Sequence, residues 1–129
     1  MKVLQVHSVD LEGQIYNGYD LQKALNKEGI TARQIVYRKF SSDDEVILKP
    51  YPDYVRERLE YEENQLSVDN LLTPWEYFVK DSQEYAEADI VHYHMIHHHM
   101  MSLIDMPLFM NGKPSVWTIH DPWVITGHC

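Results

Sequence analysis

The chain has 129 residues, 20 acidic against 11 Lys and Arg, for a net charge of −9. That length suits one domain of ordinary size, and the acidic balance argues against a nucleic-acid partner, whose phosphates call for a basic surface. A hydrophobic share of 44% with 24% charged residues excludes a mainly disordered or membrane-spanning chain.

Lys2 to His7 is a short apolar run rich in Val and Leu, expected as a strand buried on both faces. It meets His7 and Asp10 too soon for a signal-peptide core or a membrane span. A loop with Asp10, Glu12 and Gly13 follows, then a helix from Gly18 through Leu21, Ala24 and Leu25, closed by Gly29. Thr31 to Tyr37 is the second strand, which implies a right-handed parallel crossover.

Arg38 to Asp53 carries Ser41, Ser42, Asp43, Asp44, Pro50 and Pro52, and is expected as an exposed connection. Tyr54 to Leu66 is dense in Arg and Glu, with Val55, Leu59 and Leu66 as a narrow apolar stripe on a solvated helix. Thr73-Pro74-Trp75-Glu76 predicts a helix start: Thr73 as cap, Pro74 in the first turn, Glu76 closing a capping box, with Leu72 and Tyr77 as a staple. That helix is expected to face Trp75, Phe78, Val79, Ser82 and Ala86 to one side and to end near Asp89, where Ile90 and Val91 begin a strand. A helix over His97 to Ile104, interrupted near Pro107, and a strand over Ser115 to His120 complete the order.

Alternating strands and helices predict an α/β domain with a parallel sheet, whose sites gather at the carboxyl ends of the strands. Those ends nominate His7 with the loop to Gly13, then His92 and His94, then His120 and Asp121. His92 and His94 share a strand face, so a metal held by the run His92 to His99 is one reading and a polar loop is the other. Gly13 and Gly18 fall where backbone N–H groups approach an anion, but the spacing is not Gly-x-Gly-x-x-Gly, and Glu12 opposes a phosphate. His120 and Asp121, between Trp117 and Trp123, combine a titratable ring with aromatic walls suited to a sugar.

The lone Cys129 allows no intrachain disulfide and fits a reducing, cytoplasmic setting. An acidic chain gains little from anionic lipid, so membrane contact would be peripheral and local.

Three stretches resemble the N-terminal domain of retaining GT-B glycosyltransferases of family 4, enzymes of polysaccharide assembly. They are Met1 to Ser8 with the loop and helix after it, Ala88-Asp89-Ile90-Val91-His92-Tyr93-His94, and Lys113 to Asp121 continuing through Thr126-Gly127-His128-Cys129. The resemblance implies a Rossmann-like sheet flanked by helices over residues 1–129, which binds a glycan or lipid-linked acceptor. A separate C-terminal domain would hold the nucleotide-sugar donor, and no cofactor or metal would be obligatory.

It implies that His120 lies against the donor sugar and steadies the developing positive charge, with Asp121 orienting it. Glu12-Gly13 falls where the family carries Gly-Gly beside donor phosphates or acceptor, and His94 and Trp123 would line the substrate. The sequence contains no donor-binding half after Cys129, so the chain is expected to be a truncated piece, inactive alone. Bare apolar surface around Trp117 and Trp123 would then favour self-association. The readings weighed against this one are a metal-dependent hydrolase using His92 to His99 and a non-catalytic flavodoxin-like binding module.

Overall fold

The computed structural model describes residues 1–11, 18–97 and 100–126, apart from the side chains of Trp123 and Thr126. Glu12, Gly13, His98, His99 and the final Gly127-His128-Cys129 lie outside the described residues. The elements are β1 (Lys2–Val9), α1 (Gly18–Lys27), β2 (Thr31–Arg38), β3 (Val46–Leu48), α2 (Asp53–Leu66), α3 (Trp75–Lys80), α4 (Gln83–Glu87), β4 (Ile90–Tyr93), α5 (Met106–Met110), β5 (Ser115–Trp117) and α6 (Trp123–Thr126). All strand pairs are parallel, in the order β3-β2-β1-β4-β5. This is the parallel α/β sheet that the alternation predicts, Rossmann-like in form, and its strand order reverses between β1 and β4.

The two faces of the sheet differ in chemistry because strand side chains alternate. Leu4, Val6, Ile35, Tyr37, Val91 and Tyr93 point into the apolar core, where Trp75, Val79, Tyr85, Ile96, Met100, Met101, Met106 and Phe109 meet them. Gln5, His7, Gln34, His92 and His94 occupy the alternate positions. Gln5, Gln34 and His94 meet α1 at Gly18, whose position they crowd. A polar layer therefore lies beneath one helix, while the apolar layer carries the fold's hydrophobic stabilisation.

Local departures have physical causes. The expected connection from Arg38 to Asp53 contains β3, in which Val46 is buried and pairs with Gln34. The capping box does not form. Pro74 takes the cap position without a side-chain bond, Thr73 Oγ1 is buried without a partner, and Glu76 turns away to accept the Ser102 N–H at 3.3 Å. The expected single helix breaks at Ser82, whose Oγ donates to Val79 O at 2.6 Å and accepts the Tyr85 N–H at 3.1 Å. That break shifts the buried positions to Tyr85 and Ala88, leaving Ala86 outside.

His97 to Ile104 is not helical where it is described, because Met101 bridges Pro74 and Met100 O accepts the Trp75 N–H. Pro107 instead stands in the first turn of α5, where its missing N–H costs nothing. The last strand stops at Trp117, although the Thr118 N–H still donates to Tyr93 O at 2.9 Å. Among the described residues no helix is long and apolar enough to cross a membrane.

Candidate functional site: a histidine array at the sheet's switch point

The carboxyl ends of β1 and β4, with the segment after β5, bring four imidazoles together. His94 directly follows β4, and its backbone N–H still donates to Val6 O at 3.0 Å, which sets it beside β1. Ring centroids are 4.1 Å apart for His92 and His94, 5.5 Å for His7 and His94, 5.5 Å for His94 and His120, and 6.3 Å for His7 and His120. Open α/β sheets bind ligands where the strand order reverses, and His7 and His94 flank that point.

Specific bonds fix each ring. The Val9 N–H donates to His7 Nδ1 at 3.1 Å, so a neutral His7 carries its proton on Nε2. His92 Nε2 lies 2.7 Å from Thr118 Oγ1. His94 Nδ1 lies 3.2 Å from His120 Nε2, and the Trp117 indole N–H donates to His94 O at 3.0 Å. His7 and His94 are buried, His92 is half-buried, and His120 is exposed.

Burial disfavours the imidazolium and the rings repel one another's charge. Burial first, then His120 and His97, lowers the pKa of His7 to about 4. Burial, then His92, His7 and His120, lowers that of His94 to about 3. Burial and then His120 hold His92 below the usual histidine value. At neutral pH His7 and His94 are therefore uncharged and are not suited to clamping a diphosphate.

The nominated residues are distributed as follows. His94 and His120 meet directly, and His7 joins them. Asp121 Oδ2 lies 3.6 Å from His97 Nε2, so the ring contact of His120 runs to His94. Trp123 begins α6. Among the described residues no group of three His, Cys, Asp or Glu side chains is set to hold a metal ion.

Beside His120 lies a crevice of about 10 Å³ lined by His94, Ile96, His97, Trp117 and Asp121 among others, at most the room of a single water. A groove of about 650 Å³ opens farther along, lined by Arg38, Lys39, Phe40, Leu48 and Arg56 among others.

Two features went unread in the sequence. Gln5, Gln22 and Gln34 are fully buried around Gly18. The interruption of an apolar strand by Gln5 and His7, two residues apart, was the signal for that polar layer. Asp10 is also buried, and its carboxylate accepts the N–H groups of Phe40 at 2.7 Å, Ser41 at 2.8 Å and Leu11 at 3.0 Å. Burial opposes its charge, but the hydrogen bonds from Ser41 and Phe40 prevail and hold the carboxyl below its ordinary range.

Comparison with protein-family models, with curated proteins and with solved structures returned no match.

Proposed function

We propose that this chain is the acceptor-side domain of a retaining, family-4-like GT-B glycosyltransferase, with His120 at the reacting end of its rim. The observation that carries the reading is the convergence of His7, His94 and His120 at the carboxyl edge, where the strand order reverses. Burial keeps His7 and His94 uncharged behind the exposed His120, so neither sets a fixed positive charge beside a developing oxocarbenium ion. The shallow crevice suits one wall of a cleft whose opposite wall is a nucleotide-sugar-binding domain.

In this division of labour His120 touches the donor sugar and His94 lies behind it. The chain alone binds nucleotide weakly or not at all and transfers nothing, because the groups that neutralise a leaving diphosphate belong to the other domain. The domain works at the cytoplasmic side, with any membrane contact peripheral, and pairing of two copies through bare apolar surface is open to it.

The test joins this chain to a family-4 donor-binding domain and measures sugar release and transfer from several nucleotide sugars, with His120→Ala alongside. Transfer that falls at least a hundredfold in the variant supports the reading. Unchanged transfer removes His120 from the mechanism, and tight binding of a nucleotide sugar to the chain alone overturns the division between domains.

A further inference from the structure

We propose that His94 is a positioning residue that fixes the tautomer of His120, so that His120 presents its Nδ1–H to the rim and selects a ligand through an acceptor oxygen. The 3.2 Å separation between His94 Nδ1 and His120 Nε2 allows one proton on that line, given by one ring or the other. The surroundings of the far nitrogen of His94 decide which.

His94 Nε2 is buried and has no hydrogen-bond partner. It faces the Gly18 position together with the amide nitrogen of Gln34: a Cβ built on Gly18 would stand 3.2 Å from each. The Gln5 amide, turned so that its nitrogen donates to Gly18 O and its oxygen accepts the Gln22 N–H at 3.2 Å, adds a second N–H group there. An N–H on His94 Nε2 would be a buried donor among donors, whereas a lone pair there is favoured by their field.

The neutral His94 ring therefore carries its proton on Nδ1 and gives it to His120 Nε2. A neutral His120 must then carry its own proton on Nδ1. The ring is exposed, so that N–H is available to a ligand.

In that state His120 has no free lone pair, since Nε2 is engaged with His94 and Nδ1 is protonated. It offers nothing to a metal ion and one donor to an acceptor atom, such as a sugar hydroxyl, ring or glycosidic oxygen. The tautomer rests on the amide nitrogens of Gln5 and Gln34 that face Gly18, and its use on a sugar rests on the transferase reading. His94 thus takes the orienting role that the resemblance gives to Asp121.

Long-range proton–nitrogen correlation spectra of the whole chain, labelled with 15N-histidine at pH 7.5, read the tautomer directly. The expected result is a protonated Nδ1 and an unprotonated Nε2 on both His94 and His120. In His94→Gln the amide mimics the wrong nitrogen, and His120 is expected to shift toward the Nε2–H form that an unpartnered imidazole prefers. In His94→Asn the amide nitrogen occupies the place of Nδ1 and is expected to retain the Nδ1–H form of His120.

An Nε2–H His120 in the unaltered chain overturns the proposal without reference to any variant. So does a His120 tautomer that is the same in both variants. Loss of the transferase reading with the Nδ1–H tautomer intact leaves the positioning role standing and removes only the sugar, so the two failures are distinguishable.

Discussion

His7 on β1 and His94 just beyond β4 face each other with ring centroids 5.5 Å apart, both buried and both held neutral well below the usual histidine range. An imidazole whose folded pKa lies below its unfolded value stabilises the fold fully above pH 6.5. That contribution falls as pH drops toward about 4 for His7 and about 3 for His94, because the unfolded chain takes protons the native rings refuse. The array is therefore expected to make the domain acid-labile, by roughly 2 kcal/mol per buried ring between pH 7 and pH 5. Urea midpoints at both pH values should drop more for the unaltered chain than for His7→Gln. Equal drops would show that His7 is not a source of the lability.

Glu76 works with the opposite sign. It is 1% exposed, and burial raises its pKa to about 7. Between the unfolded value of 4.5 and about 7, the native carboxyl keeps a proton that the unfolded chain has released, so its contribution to stability declines as pH rises through that window. Above pH 7 the fold carries a buried carboxylate whose Oε1 lacks a partner. Glu76→Gln, close in shape and uncharged, is expected to gain about 1 to 3 kcal/mol at pH 8 and little at pH 5. Thermal unfolding at the two pH values checks this, and a gain independent of pH would assign the effect to packing instead.

The sheet was legible because β1, β2 and β4 are dense in β-branched and aromatic residues, and such runs pack well only in a buried sheet. The Val46-Ile47-Leu48 strand was hidden by the serines, aspartates and prolines around it, though three consecutive apolar residues were a usable sign. A helix does begin beside Thr73, as α3 at Trp75, but the capping box does not form because tertiary contacts outbid a local cap. Trp75 is fully buried with its indole N–H donating to Lys49 O, and the chain turns at Pro74 to put it there.

The strand-end rule brought His7, His94 and His120 to one place. It did not foresee that His120 would meet His94 through its ring while Asp121 lies by His97, because side-chain pairing across strands depends on register.

Gly18 is required by contact rather than by backbone conformation. A methyl group there would collide with the Gln5 amide and stand 3.2 Å from Gln34 Nε2 and His94 Nε2. Alanine gains up to about 1 kcal/mol in helix propensity, while overpacking a buried site costs about 1 to 3 kcal/mol. All three neighbours are themselves buried and have little room to withdraw, so the steric cost should win. Gly18→Ala is expected to be destabilised by about 1 kcal/mol and to shift the His94 ring resonances. Greater stability than the unaltered chain, measured by urea unfolding, would show that the polar layer is looser than these contacts make it.

Asp10 ties the end of β1 to the segment that leaves β2. Its two carboxylate oxygens accept the N–H groups of Phe40 and Ser41, 30 and 31 positions further along the chain, and so hold the rim beside the 650 Å³ groove. Asp10→Ala would leave the backbone N–H groups of Phe40, Ser41 and Leu11 without their charged acceptor, at a cost of about 3 kcal/mol. Asp10→Asn retains one acceptor oxygen and should lose about half as much. Amide hydrogen exchange resolves this locally: protection at Phe40 and Ser41 should fall sharply in the alanine variant and partly in the asparagine variant. The β4 amides of Val91 and Tyr93 should follow only the global change in stability. Uniform loss of protection across the sheet would mean that Asp10 supports the whole fold and not this rim.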